Sequence, residues 1–298
     1  MIDLKDETWE ILLERIREKK CTPFLGAGAC AGALPLGGEL ARDLADAQEY
    51  PFEDRSDLLR VAQFIAVKSD VRSAKSLVVD RLKKAGLPKF ANPPDFTAPD
   101  DPHGLFASLN LPVYLTTNYD DFMFRALRAA ERDPRQELCR WHSGLRNIPS
   151  VFETEPAYRP SAANPLVFHL HGQQKEPDSI VLTEDDYLKF MINFMRDPAL
   201  LPSPVRDAIS ASTLLFLGYR LADWNFRVLF QMLRPDPDYK SIAVLLPPGP
   251  NEPSAEEAQQ YLDEYYGAMN LKMFWGTARE FSSELRRRWA EFRTRAQP

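Results

Sequence analysis

The stretch Cys21-Thr22-Pro23-Phe24-Leu25-Gly26-Ala27-Gly28-Ala29-Cys30-Ala31-Gly32 is an apolar run that ends in a loop of small residues, and a helical pattern follows at 39–45. A strand that leads through a glycine loop into a helix is typical of phosphate binding. Glycines let the backbone approach the phosphate oxygens, and free N–H groups at the helix start attract an anion. The spacing is G-x-G-x-x-x-G, whereas dinucleotide dehydrogenases have G-x-G-x-x-G. On the glycines alone, an ordinary strand-to-helix turn is an equally good interpretation.

The composition is that of an ordinary globular protein, with 298 residues, 44% hydrophobic and 27% charged. A net charge of −6 argues against a chain that binds nucleic acid without a partner. No apolar run reaches the roughly 20 residues of a membrane helix, and the N-terminus lacks a secretory signal pattern. The three cysteines, Cys21, Cys30 and Cys139, are too few and too scattered for a disulfide framework or a four-cysteine zinc site. We therefore expect a cytoplasmic protein that does not contact membranes.

Apolar strands alternate with helical patterns along the chain, which predicts an α/β fold with a Rossmann-like, doubly wound parallel sheet and helices on both faces. The region from 134 to 163 has a weaker pattern, and we expect loops or a hairpin there. Thr183 and Asp186 resemble a capping box that opens a helix. The predicted strands are 22–25, 112–116, 166–170, 179–182, 213–217, 241–246 and 271–275.

The organisation predicted for the chain is a single domain, 1–298. Two helical patterns, 58–67 and 71–82, follow one another without a strand between them. They indicate a helical insert at about 50–105. The strand and helix patterns near the end of the sequence indicate a C-terminal extension at about 240–298.

Four predicted strands end in polar or glycine residues: Gly26, Asn118, His171 and Gly218. In a parallel sheet the carboxyl ends of the strands lie along one edge, and ligands bind there. The sequence therefore predicts a ligand site at that edge.

Taken in order, these segments resemble the sirtuin-like family, in particular the bacterial NAD-hydrolysing domains of antiphage defence. The resemblance is carried by Gly26-Ala27-Gly28, Thr117-Asn118-Tyr119-Asp120, His169-Leu170-His171-Gly172, Ser179-Ile180-Val181-Leu182-Thr183 with Asp186-Tyr187, and Gly218-Tyr219-Arg220-Leu221-Ala222-Asp223. It implies a Rossmann-type site with NAD as the substrate.

Two departures concern the protein-deacetylating branch of that family. Those enzymes carry a four-cysteine zinc module, which three scattered cysteines cannot form. They also have Asp-Phe-Arg after the glycine loop, where this chain has Leu34-Pro35-Leu36-Gly37-Gly38. We therefore expect NAD chemistry without acyl-lysine chemistry, and no metal.

The resemblance implies that Asn118 and His171 are the chemical pair. Asn118 would position the attacking water or the ribose, although it could instead cap the next helix, with Asp121 at the third helical position. His171 would act as a general base or bind a ribose hydroxyl, although it could be a structural strand-end residue. Asp120 would contact the nicotinamide amide or orient Asn118, although a carboxylate at a helix start is also stabilised by the helix dipole.

The remaining predicted contacts belong to NAD binding. The glycine loop would line the pyrophosphate, and the segment after Gly218 would meet the adenosine, although Asp223 could instead cap a helix. His169 is interpreted as structural, and no nucleophilic role is expected for Cys30. The predicted cofactor-binding residues are Gly26, Ala27, Gly28, Ala29, Thr117, Gly218, Tyr219 and Asp223.

The function predicted from the sequence is an NAD⁺ glycohydrolase that releases nicotinamide and ADP-ribose in antiviral defence. Because free NAD hydrolysis would harm the host, we expect gating by homo-oligomerisation or by a separate partner, such as a HerA-type ATPase or an Argonaute-like protein. The alternatives are a scaffold that binds NAD or ADP-ribose without turnover, and a deacylase or assembly-dependent nuclease.

Overall fold

The computed structural model describes residues 4–84, 94–219, 224–233, 241–247 and 254–295. Its seven strands form one sheet in which every pairing is parallel. The order across the sheet is β3-β4-β2-β1-β5-β6-β7. The strands are β1 (Cys21–Leu25), β2 (Val113–Thr116), β3 (Arg135–Leu138), β4 (Leu166–His169), β5 (Thr213–Tyr219), β6 (Ser241–Leu245) and β7 (Leu271–Trp275).

From β1 the chain adds β2 beside it, then the edge strand β3, and then β4 between β2 and β3. It then crosses to the other side of β1 and adds β5, β6 and β7 in order. This topology confirms the predicted doubly wound α/β fold. Its crevice is expected where the winding reverses, at the carboxyl ends of β1, β2 and β5.

Helices connect the strands. They are α1 (Asp6–Arg17), α2 (Gly37–Ala47), α3 (Leu58–Lys68), α4 (Val71–Lys84), α5 (Pro102–Ser108), α6 (Phe122–Ala129), α7 (Val151–Thr154), α8 (Glu184–Arg196), α9 (Ser203–Ser210), α10 (Trp224–Leu233), α11 (Ala255–Gly267) and α12 (Ala278–Arg295). The predicted capping box at Thr183 and Asp186 is confirmed, and it opens α8. In the described segments, no helix combines the length and the apolar character needed to cross a membrane.

Alternate strand residues face two separate cores, because successive side chains of a strand point to opposite faces. Phe24 and Phe216 pack in one core with α8, α9 and α11, whereas Leu25 and Leu215 pack in the other with α1, α5, α6 and α12. Each fully buried side chain of this kind contributes about 1.5–3 kcal/mol of hydrophobic stabilisation. The prediction of helices on both faces is confirmed.

Helices α2, α3 and α4 form a third core with residues of the glycine loop. The helical cluster therefore begins at α2, earlier than the predicted boundary near residue 50. A buried ion pair joins this cluster to α8: Lys75 Nζ lies 3.0 Å from Asp186 Oδ2, and neither side chain is more than 8% exposed.

The structure corrects the predicted strands in two places. Residues 135–138 form the edge strand β3, parallel to β4, where loops or a hairpin were expected. Residues 179–182 are not a strand: Ser179 ends a 3₁₀ turn, and 180–182 are buried without joining the sheet. Their apolar character reflects burial and not pairing in the sheet, since Ile180 and Leu182 lie in the third core and Val181 in the core that contains Phe24.

Candidate active site

The glycine loop after β1 folds as one 3₁₀ turn, Ala27–Cys30, and packs closely against Gly218 of β5. A Cβ on Gly28 would come within 2.7 Å of the Gly218 Cα. Gly218 itself has φ +83°, and a Cβ there would lie 2.4 Å from the Ala29 nitrogen. Glycines 28 and 218 therefore allow two backbone segments to touch, apart from any role in binding a ligand.

A cavity of about 620 Å³ lies at the carboxyl edge of the sheet, beside this loop. Its volume is in the range of small-molecule sites. It is lined by eight of the predicted residues: Ala27, Gly28, Thr117, Asn118, Asp120, His171, Gly218 and Tyr219. Gly26 and Ala29 are not part of its lining, and Asp223 lies outside the described residues.

The Asn118 side chain is held by the glycine loop. Its Nδ2 donates to the Gly26 carbonyl at 3.0 Å and to Cys30 Sγ at 3.2 Å. Because both amide hydrogens are used, Oδ1 remains as the hydrogen-bond acceptor of this side chain. The helix-capping alternative is wrong, since α6 begins at Phe122 and Asp121 occupies the N-cap position.

Asp120 is buried and bonded through both carboxylate oxygens. Oδ1 accepts the Phe122 N–H at 2.9 Å, and Oδ2 accepts the Cys30 thiol at 3.2 Å. The hydrogen bond from Phe122 places the Asp120 carboxylate at the start of α6, which was the structural alternative given for this residue. Burial and the neighbouring Asp120 charge hold the pKa of Cys30 well above its ordinary value. Cys30 is therefore a neutral thiol between the amide and the carboxylate, not an activated nucleophile.

His171 follows β4, and its imidazole packs against the rings of Phe190 and Tyr187, with centroids 4.9 and 6.1 Å away. Its Nε2 is buried and has no hydrogen-bond partner among the described residues. Burial lowers the pKa of His171 to about 4, so the ring is neutral near pH 7. Gly172 has φ +80°, and a Cβ there would lie 2.2 Å from the Ser179 carbonyl oxygen. The His-Gly pair thus combines a neutral imidazole with a turn that requires glycine.

Two further polar side chains, His169 and Tyr219, hold neighbouring segments together at the carboxyl edge of the sheet. His169 is structural, as expected: Nδ1 lies 3.2 Å from the Asn118 carbonyl oxygen, and Nε2 lies 3.3 Å from the Gln136 amide nitrogen. Tyr219 donates to the Leu25 carbonyl at 3.1 Å, so at 3.0 Å it accepts the hydrogen of the Thr117 hydroxyl. Tyr219 and Thr117 therefore join β5 to β2 at the cavity.

Sequence reasoning missed several parts of the cavity wall. Tyr187 of α8 and the segments 34–38, 56–59 and 276–278 also line it. The residues at 276–278 follow β7. The rule that ligands bind at the carboxyl ends of parallel strands, here called the strand-end rule, could have found them. Tyr187 and 34–38 belong to segments noted in the sequence, but nothing in their local pattern assigns them to a ligand site, and no local pattern marks 56–59.

The SIR2-like domain model matches residues 112–269, which is just over half of the chain. The chain belongs to the SIR2-like domain family. The matched segment holds Asn118, Asp120 and His171, whereas the glycine loop precedes it.

Among its relatives, the SIR2-like chain is 24% identical over 225 residues to a protein named NAD(+) hydrolase ThsA from Cytobacillus dafuensis, covering 74% of this chain and 40% of that protein. A protein of the same name from Enterococcus faecium is 24% identical over 222 residues, covering 74% of this chain and 41% of its own. Defense-associated sirtuin 2 from Bacillus subtilis is 26% identical over 168 residues, and the match covers 53% of this chain and 15% of that protein. The chain thus spans about two fifths of the length of the ThsA relatives.

A solved structure titled "Structural Basis for the Mechanism and Regulation of Sir2 Enzymes" contains a chain that is 13% identical to this one. The two superpose with a TM-score of 0.44 over 98% of this chain and 100% of that one.

Proposed function

We propose that this SIR2-like chain binds NAD⁺ along the carboxyl edge of its sheet and hydrolyses the bond between nicotinamide and ribose. One observation carries the proposal: the Asn118 amide and the His171 imidazole, which follow two different strands, line one cavity together with the glycine loop. The names of the ThsA relatives support the same activity.

Hydrolysis of this bond passes through an oxocarbenium-like ribose. A water oxygen attacks C1′, the C1′–N bond breaks, its electron pair goes to the nicotinamide nitrogen, and the water proton is released. The pyridinium nitrogen is positive in NAD⁺ and becomes neutral as it leaves, so no general acid is needed. The chain must orient the water and the ribose and exclude other solvent.

The geometry gives each residue a part in that task. Asn118 Oδ1 is the acceptor that orients the attacking water or a ribose hydroxyl, because Nδ2 is already engaged. His171 is neutral, and its pKa is too low for an efficient general base near pH 7, so we assign it to a ribose hydroxyl. Asp120 fixes Asn118 through Cys30.

The rest of the NAD⁺ molecule would lie along the loop and β5. Backbone N–H groups of 26–29 would meet the pyrophosphate, with Thr117 beside them. Gly218, Tyr219 and Asp223 would meet the adenosine.

We propose that the reaction depletes cytoplasmic NAD during antiphage defence. The name of the Bacillus subtilis relative, Defense-associated sirtuin 2, supports a role in defence. Homo-oligomerisation or a partner protein would then gate the reaction, with a HerA-type ATPase or an Argonaute-like protein as candidates.

The test is incubation of the purified chain with NAD⁺, with chromatography of the products and light scattering to record the oligomeric state. Nicotinamide and ADP-ribose should form, and Asn118→Ala and His171→Ala should each lower the rate at least about 100-fold. Matched controls are Asn147→Ala and His142→Ala, which lie outside the cavity lining and should retain the rate. A folded Asn118→Ala variant with full activity would remove this residue from the mechanism. Tight NAD⁺ binding without nicotinamide release in every oligomeric state would favour the scaffold alternative.

A further inference from the structure

A cluster of three chemically distinct side chains lies behind the cavity wall. Cys30 comes from the glycine loop, His103 from α5 and Asp120 from the segment before α6, and they are 4%, 1% and 7% exposed. Their ligand atoms all lie within 4.8 Å of one another. Cys30 Sγ is 3.9 Å from His103 Nε2 and 3.2 Å from Asp120 Oδ2.

The two separations from Cys30 Sγ suit a tetrahedral metal ion. With metal–sulfur and metal–nitrogen or metal–oxygen bonds of about 2.3 and 2.0–2.1 Å, two ligand atoms of a tetrahedral zinc site lie about 3.5 Å apart. Both measured distances from Sγ are within about 0.4 Å of that value. Thiolate, imidazole and carboxylate are the donors that zinc-like ions take.

The surroundings of His103 give independent support. Its Nδ1 is buried and has no hydrogen-bond partner among the residues that the structure describes. Asp101 Oδ2 lies 3.9 Å from that nitrogen, and the other Asp101 oxygen is fixed by the Gly104 N–H at 2.7 Å. A carboxylate behind the second nitrogen is the usual support of a metal-binding histidine.

We propose that Cys30, His103 and Asp120 form a binding site for one soft divalent cation such as Zn²⁺, with a water from the cavity as the fourth ligand. Cys30 and Asp120 line the cavity, which gives the ion an entry path. On binding, the thiol proton passes to solvent and the thiolate coordinates the ion. This proposal departs from the expectation, drawn from the sequence, that the chain holds no metal.

The ion would inhibit NAD hydrolysis, a consequence that rests on the proposed function. The thiol hydrogen that Cys30 donates to Asp120 Oδ2 would be lost on coordination, and with it the hydrogen bond through which Asp120 fixes Cys30 and Asn118. The cluster would also change from one net negative charge, on Asp120, to none. The site would then stabilise a positively charged nicotinamide and ribose less well.

Cobalt titration of the full chain tests the binding site without reference to activity. Co²⁺ should bind at one ion per chain and give a thiolate-to-cobalt absorption band, which Zn²⁺ removes by competition. Cys30→Ser should abolish the band, and Asp101→Asn should weaken cobalt binding about 10- to 100-fold. Cys21→Ser and Cys139→Ser are the matched controls and should retain the band, because both thiols are buried outside the cluster.

The absence of a band in the wild-type chain, or a band that persists in Cys30→Ser, would overturn the site. If Cys30→Ser does not fold, X-ray absorption of the wild-type cobalt complex decides: one sulfur ligand supports the site and none refutes it. Cobalt binding in a chain that does not hydrolyse NAD⁺ would support the metal site while counting against the proposed function. Full NAD⁺ hydrolysis by the zinc-loaded chain would refute inhibition.

Discussion

Burial of His171 should make the stability of this protein depend on pH in a way that can be calculated. The unfolded chain protonates this imidazole near its ordinary pKa of 6.5, whereas burial lowers the folded-state pKa to about 4. Each unit of pKa corresponds to about 1.36 kcal/mol, so the full effect is about 3 kcal/mol. Because the folded pKa is the lower one, the unfolded state binds the proton more readily. Stability from this residue is therefore complete above about pH 6.5 and decreases as the pH falls toward 4.

Urea unfolding of the wild type and of His171→Gln, at about pH 7.5 and about pH 4.5, measures this contribution. Glutamine does not titrate, whereas the carboxylates and His169 titrate in both proteins, and their contributions cancel in the comparison. Between those two pH values the wild type should lose about 2.5 kcal/mol more than His171→Gln. Parallel pH profiles for the two proteins would refute the reasoning, because His171 would then have its ordinary pKa and access to water.

Gly172→Ala should lower the free energy of unfolding by at least about 2 kcal/mol, since the residue has φ +80° and its new Cβ would lie 2.2 Å from the Ser179 carbonyl oxygen. Lys75→Met should lower it by about 3–5 kcal/mol, because it leaves the buried Asp186 carboxylate without its 3.0 Å partner. Thermal or urea unfolding of each variant measures both changes.

Two substitutions serve as controls. Gly37→Ala adds a Cβ with nothing within 4 Å, and should change stability by no more than about 0.5 kcal/mol. Arg72→Met removes an ion pair with Asp178 whose side chains are 77% and 56% exposed, and should cost less than about 1 kcal/mol. If Gly172→Ala or Lys75→Met were no more destabilising than its control, the corresponding argument would fail.

The central part of the fold could be predicted from the sequence because β1, β2, β4 and β5 are apolar runs that end at polar or glycine residues. The edge strand β3 could not. Its sequence, Arg135-Gln136-Glu137-Leu138, is largely polar, so no apolar run marks it, whereas the other edge strand, β7, is apolar and was predicted. The opposite error occurred at 180–182, which was predicted as a strand: Ile180 and Leu182 are buried in the third core and Val181 in the core of Phe24, and this alternation resembles that of a strand.

The site was likewise predictable where its residues follow strands of the sheet, and not where they depend on long-range packing. The strand-end rule identified Asn118 and His171 because both follow paired strands: Thr116 and His169 are register partners of β2 and β4. It could not find the contact between Cys30 and His103, which are separated by 73 residues. Such a contact depends on how α5 packs against the glycine loop, and single-sequence patterns do not encode that packing.

The irregularity in β5 at Gly218 decides which face of the sheet the Tyr219 side chain lies on. Pairing with β6 slips by one residue between Leu217 and Tyr219. In a regular strand, Phe216 and Tyr219 would project to opposite faces, yet the rings of both pack against Phe24. The extra residue therefore keeps the phenol on the Phe24 side, and straightening the strand without removing a residue would turn it to the far face of the sheet. Homologous chains should therefore either keep a glycine at this point, where a Cβ would lie 2.4 Å from the Ala29 nitrogen, or lose the extra residue and the irregularity together.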